Sequence, residues 1–274
     1  MTTQTYLAEV PVDAASGEIA RIYGEIRRLT GGPLVAFVYR HLATLPGALE
    51  ALWRSVAPLL ERGELQTRAW ESAARAWTGP IPDSEIIKLS LGATGLAGAC
   101  PVIDAYNRGN PVNLAVVSVI RAAKKSPGIS AQSPLPMPRW TPPAQLVPII
   151  PIPAAADLNP KLLARIDAFG KSAGAGEPLL VPTLYRHLSA WPALVEFAFN
   201  EVRPRLADDS FAPAVERFRL DIEYLATEVT QRHTFPDEPA LETDLVRHAF
   251  DRFVPVIPEM VVVGHFLRRT LGCP

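Results

Sequence analysis

The 274-residue chain carries 27 Lys and Arg against 28 Asp and Glu, a formal net charge of −1, with 48% apolar and 20% charged residues. That balance is globular, not disordered, and it lacks the clustered basic excess that a nucleic-acid partner requires. Two cysteines, Cys100 and Cys273, are too few for a disulfide framework and have no metal-ligand spacing. MTTQTYLAEV contains no basic segment leading into an apolar run, and no uncharged apolar stretch reaches the roughly 18–20 residues of a bilayer span. A soluble, cytoplasmic protein with no membrane contact is expected.

In chain order, Ile19, Ile22, Tyr23, Ile26 and Leu29 recur at steps of three and four, predicting an amphipathic helix over 16–30 with Ser16 as its cap and Gly31-Gly32 as its stop. Helices are predicted over 34–44, from Pro46 to about Arg62, and over 65–77, 84–96, 99–107 and 111–124. Trp53, Trp70 and Trp77 fall at helical spacings and read as core. Alternation of period two is scarce, so the fold class is all-α. From Ser126 to Pro153 the sequence is dense in proline and predicts an extended, semi-rigid strap, with Trp140 and the apolar residues from Val147 to Ile152 lying on a surface.

Beyond the strap the earlier pattern returns. VAFVYRHLATLPGALE from Val35 is echoed by VPTLYRHLSAWPALVE from Val181, with Tyr-Arg-His-Leu at 39–42 and again at 185–188. Val10-Pro11-Val12 finds its echo in Ile150-Pro151-Ile152, and DAYNRGNPVNLAVV at 104–117 in HAFDRFVPVIPEMVVV at 248–263. Several segments repeating in one order indicate duplication. The expected organisation is a first helical repeat (1–125), a proline-rich linker (126–153) and a second helical repeat (154–274). The two repeats would pair as a pseudo-twofold dimer within one chain, with a cleft between them where a pocket can form.

The stretches SGEIARIYGEIR, PLVAFVYRHLATLPGALEALW, AYNRGNP and LSAWP are similar to the group I 2-haloacid dehalogenases, and the resemblance runs in register from the N-terminal stretch to the final helix. It implies an all-helical fold of two related repeats with the active site between them. In that family an aspartate before the Trp-Pro of the second repeat activates a water. The water displaces halide from C2 with inversion and without a covalent intermediate. Counting back from Trp191-Pro192, the resemblance places the family's Ser-Asp pair on Thr183-Leu184. A leucine accepts no proton, so the fold is expected to transfer and standard dehalogenation is not. The other substrate-binding positions it implies are Leu34, Phe37, Asn110 and Phe250, with Leu34 replacing a tryptophan and Phe250 a tyrosine.

Several side chains carry two readings. Asn110 precedes Pro111 and suits the cap of a helix over 111–124; the free N–H groups of such a helix end would also face a carboxylate. His41 shares a helix face with Phe37, and His187 with Thr183, so two histidines related by the repeat could approach the cleft. Either could replace the missing base, His187 first because it stands three residues beyond Leu184, or each could make one duplicated structural hydrogen bond. Arg40 and Arg186 could bind a substrate carboxylate bidentately, but each is adjacent to its histidine and neighbours on a helix diverge by about 100°, so they are expected to pair with Glu50 and Glu196 or to cap a neighbouring helix. His233, His248 and His265 show no metal-ligand pattern with nearby carboxylates, and no glycine-rich phosphate loop occurs, so neither metal nor cofactor is expected. The expected partner is a small-molecule substrate or ligand, with a homodimer left open. The expected function is a cofactor-free enzyme on a small organic acid, acting by hydrolytic or acid/base chemistry; the alternative is a non-catalytic binding descendant.

Overall fold

The computed structural model describes residues 6–125, 140–153, 157–172 and 179–274; most of the expected linker (126–139) and the first residues of the expected second repeat (154–156) lie outside the described residues. The described elements are helical, with no strand among them and one isolated parallel bridge between Tyr6 and Leu179. The first half holds α1 (Gly17–Thr30), α2 (Phe37–Leu42), α3 (Ala48–Leu60), α4 (Glu64–Ala74) and α5 (Glu85–Lys125). The second holds α6 (Pro160–Ser172), α7 (Thr183–Leu188), α8 (Pro192–Ala207), α9 (Ala212–Arg232), a 3₁₀ turn at Pro239–Leu241, and α10 (Asp244–Leu271).

Periodicity explains the first helix. Ile22, Tyr23, Ile26 and Leu29 are all buried on one face of α1, and Gly31 ends it at φ 63°, a left-handed conformation that glycine adopts without a steric penalty. Ser16 holds the N-cap position, but its side chain makes no capping hydrogen bond. The third helix opens at Ala48 instead of Pro46, because Gly47 takes a left-handed turn at φ 68° just ahead of it.

The largest departure from expectation is α5. Three predicted helices form one 41-residue element, broken once at Gly92 (φ 60°, ψ −178°), with Pro101 and Pro111 inside it. Each proline removes one backbone hydrogen bond, at a cost of about 3 kcal/mol in an isolated helix. Tertiary packing offsets this: Val102, Ile103, Val112 and the run from Leu114 to Val117 are buried, and α5 lies against α10, α9 and α4. By length and composition α5 is apolar enough to cross a bilayer, contrary to the expectation from sequence, but it serves here as the central helix of the core.

Extended segments tie the helices together. Trp140 lies over Gly63, where an added Cβ would fall 2.2 Å from the indole. Leu146 N–H donates to the Gly31 carbonyl at 2.9 Å, and Arg108 Nη1 donates to the carbonyls of Gly31 and Ala144. The described part of the strap therefore runs along the end of α1, with Trp140 and Ile149 packed against the core, while Val147 and Ile150, expected to lie on a surface, are exposed. Trp191 seats its indole on Gly98 of α5, where a Cβ would meet it at 2.7 Å. Of the other tryptophans, Trp53 is buried, Trp70 Nε1 donates to the Arg108 carbonyl at 2.8 Å, and Trp77 packs edge-on against Phe211 and Phe266.

Cys100 in α5 and Cys273 after α10 form a disulfide across a sequence separation of 173 residues. Composition did not announce it, because two cysteines far apart in sequence carry no spacing signal.

Candidate functional site

A cavity of about 60 Å³ lies between α2 and α7, closed by α1, α5 and α10. By that measure it has room for roughly four to six waters, the scale of a small organic molecule. Leu34, Phe37, Asn110, Thr183 and Leu184, all expected at the site, stand on its wall. Leu184 is 1% exposed and faces the cavity as a hydrocarbon.

Phe250 does not line it. That side chain borders a separate depression with Arg121, Lys124 and Asp251, and Phe253, one helical turn further along α10, occupies the cavity wall instead. Phe253 belongs to a face with Val256, Ile257 and Met260, spaced by three, one and three residues, and packs edge-on against Phe37 with ring centres 5.5 Å apart. The helical period was the signal for this residue; carrying a position over from the resemblance selected the wrong turn.

Asn110 is on the wall but caps nothing. α5 runs through it without a break, so no free helix end with unpaired N–H groups exists there. Its amide, the buried Asn113 and Tyr106 make a polar stripe at steps of four and three along α5.

Neither His41 nor His187 lines the cavity; each holds an extended segment. His41 Nδ1 donates to the Ala8 carbonyl at 2.7 Å, and His187 Nε2 donates to the Ile150 carbonyl at 2.8 Å. Burial pushes both rings below the usual imidazole range, partly opposed by these carbonyls. The neutral His187 ring then presents a bare Nδ1, which accepts a long hydrogen bond from the Tyr106 hydroxyl at 3.4 Å. Tyr106 is on the wall, and burial pushes its phenol up to about 12, with a hydrogen bond from Thr183 acting in the opposite direction. At neutral pH it is a proton donor, so His187 reaches the cavity only through it.

Arg40 and Arg186 do not pair with Glu50 and Glu196. Both approach Glu9: Arg40 Nη2 is 3.1 Å from Oε2 and Arg186 Nη2 is 3.7 Å from Oε1, while Glu196 pairs with Arg165. Arg40 lines the cavity, with its guanidinium carbon 5.6 Å from the centre of the Phe37 ring. The expectation went astray by placing Phe37 with His41 at four residues; Phe37 with Arg40 at three is the pair that faces inward. Glu259, a half-buried carboxylate whose desolvation raises it to about 7, is also off the wall, within electrostatic range of Tyr185. Among the described residues no group of three or more His, Cys, Asp or Glu is placed to hold a metal ion.

An all-α chain wrapped around an apolar inter-helix cavity defines a dehalogenase-type fold by comparison with solved structures. A D-2-haloacid dehalogenase mutant in complex with D-2-CPA matches with a TM-score of 0.67 at 19% identity, covering 98% of this chain and 95% of that one. A D-2-haloacid dehalogenase with L-LA gives 0.67 at 19%, covering 99% and 96%. In sequence, the chain is 27% identical over 218 residues to a configuration-inverting 2-haloacid dehalogenase of Alcaligenes xylosoxydans xylosoxydans, covering 74% of this chain and 70% of the relative. It is 25% identical over 263 residues to an (R)-2-haloacid dehalogenase of Rhizobium sp. (strain NHG3), covering 89% and 93%. No family model matches. The chain is thus similar over most of its length to 2-haloacid dehalogenases and has their fold.

Proposed function

We propose that the cavity takes a small organic acid bearing an apolar tail, and that the chain does not carry out carboxylate-activated displacement of halide. The observation that carries this reading is the composition of the wall: no Asp, Glu or His is among its described lining residues, and Leu184 stands where the resemblance places the water-activating aspartate. Water attack at C2 needs a positioned base. Here the titratable group at the surface, Tyr106, holds its proton through neutral pH. It can donate a hydrogen bond to a ligand oxygen, but it cannot deprotonate water.

Of the two classes expected from sequence, this geometry favours the binding one over the hydrolytic one. The relatives named above are 2-haloacid dehalogenases, which supports an organic acid as the ligand class. The chain reads further as a duplicated unit. Helices of 14, 6 and 13 residues in the first half correspond in order to helices of 13, 6 and 16 in the second. The test assays halide release from both enantiomers of 2-chloropropionate beside calorimetric binding of 2-methylbutyrate, a halide-free analogue. Binding without halide release above the no-enzyme rate is expected. Fast halide release by the wild-type chain overturns the reading.

A further inference from the structure

The two copies of the Tyr-Arg-His-Leu tetrad bring two arginines to one carboxylate. Arg40 and Arg186 both approach Glu9 at 3.1 and 3.7 Å, so three formal charges sum to +1. The three side chains are 8%, 28% and 19% exposed, Arg40 being the most buried. Their pairing is incomplete in hydrogen-bond terms. Arg40 Nε, Arg186 Nε and Glu9 Oε2 are buried without a hydrogen-bond partner among the described residues. Arg40 lines the cavity, and no acidic residue among the described lining residues offsets its charge. A guanidinium against an apolar cavity with unmet donors is costly, and an anion is the group that relieves it. The same wall carries Leu34, Leu184, Phe253 and Met260, which offer only hydrocarbon or thioether surface.

We propose that Arg40 is the carboxylate anchor of this cavity, with Glu9 as the internal carboxylate that competes for its guanidinium and Arg186 supplying the excess positive charge. The proposal rests on the reading of the cavity as an organic-acid site and narrows the ligand to a monocarboxylate. A planar guanidinium presents paired N–H donors that match the two oxygens of a carboxylate. The described lining residues include no second cation, so a dicarboxylate would bury an unpaired charge in the cavity. The tail meets Leu184, Phe253 and Met260, which fit an alkyl group.

The experiment measures calorimetric binding of 2-methylbutyrate and of its uncharged counterpart, 2-methylbutanamide, to the wild-type chain and to Arg40→Gln, Arg40→Lys and Glu9→Gln. The wild type is expected to prefer the acid by at least about tenfold, the scale of one charge-assisted hydrogen-bond pair. Arg40→Gln is expected to lose that preference while keeping its affinity for the amide, and Arg40→Lys to retain part of it. Glu9→Gln removes the competing carboxylate and is expected to strengthen acid binding. An acid-over-amide preference that survives in Arg40→Gln overturns the proposal. Should Arg40→Gln fail to fold, Glu9→Gln decides: acid affinity that does not rise counts against it. Equal binding of acid and amide by the wild type removes the anion site but leaves the cavity reading standing. Binding of neither removes both.

Discussion

The Nε2 of His187 lies 2.8 Å from the carbonyl oxygen of Ile150, in the echo of the Val-Pro-Val segment near the N-terminus. His41 makes the matching bond to Ala8 at 2.7 Å, ahead of that segment's first copy. The two histidines of the Tyr-Arg-His-Leu tetrads therefore each pin an extended segment, through different ring nitrogens. The acceptors Ala8 and Ile150 are exposed, but both histidines are buried, so each bond satisfies a ring N–H that water does not readily reach.

From this follows an expectation about pH. Both rings sit below their ordinary titration range because of burial, so the unfolded chain takes up protons near pH 6.5 while the folded chain does not. With more protons bound in the unfolded state, stability rises with pH through that window and falls as pH drops below it. His41→Gln and His187→Gln are each expected to lower stability at pH 7.5 by about 1–3 kcal/mol, the cost of a buried donor left unmet. Each should also show a smaller loss between pH 7.5 and pH 5.5 than the wild type. Urea melts at the two pH values check both parts; a variant with wild-type midpoints at both shows that the pinning bond contributes nothing.

Glu259 works in the opposite direction. Burial raises its carboxyl to about 7, above the usual carboxylate range, so between these values the folded chain binds the extra proton. Its contribution to stability is present at low pH and lost as pH rises through about 7. Glu259→Gln keeps the shape and removes the charge. It is expected to stabilise the fold at pH 8 by on the order of 2 kcal/mol and to leave it nearly unchanged at pH 4.5. Thermal melts at both values decide it, and equal shifts at the two would show that the gain is not electrostatic.

The disulfide offers a third test. Cys100 and Cys273 are both buried, and their link, at a sequence separation of 173, closes well over half of the chain into one loop. Cross-links over long loops typically contribute about 2–5 kcal/mol. Cys100→Ser with Cys273→Ser, or reduction of the wild type, is expected to lower the melting temperature, and an unreduced digest should contain the joined peptides. Two titratable thiols in the folded, unreduced protein would contradict it. The expectation of a cytoplasmic protein took no account of this pair, which a reducing compartment would keep open.

Much of this architecture was legible, for identifiable reasons. α1 announced itself through Ile22, Ile26 and Leu29, and the strap through its prolines, because local chain stiffness and face periodicity are properties of neighbouring residues. The prolines of α5 misled for the same reason. Pro101 and Pro111 are local breakers overruled by buried contacts with α9 and α10 that sequence spacing does not reveal. Of the cavity wall, Leu34, Phe37, Asn110, Thr183 and Leu184 were expected there, but Tyr106 and Phe253 were not, and Arg40 was expected to turn elsewhere. Which of two neighbouring faces of a six-residue helix turns inward is set by its partners, not by its own period.

The last expectation concerns Leu184 itself. If the missing carboxylate is what separates this cavity from a dehalogenase site, then restoring it should recover some activity. Leu184→Asp places a carboxyl on a wall that already carries Asn110, Thr183 and the Tyr106 hydroxyl, each able to hydrogen-bond a water or the new side chain. The position is fully buried, so the variant is expected to lose about 2–4 kcal/mol of stability, and burial will raise the new carboxyl above its ordinary range. Halide release from 2-chloropropionate is expected to be absent in the wild type and measurable in Leu184→Asp. It should increase with pH as the carboxyl ionises, because only the carboxylate accepts a proton from water. Leu184→Asn, of nearly equal size and polarity, should release none and serves as the control for a general opening of the cavity. A folded Leu184→Asp that binds 2-methylbutyrate yet releases no halide at any pH would show that residue 184 does not stand at the water-activating position.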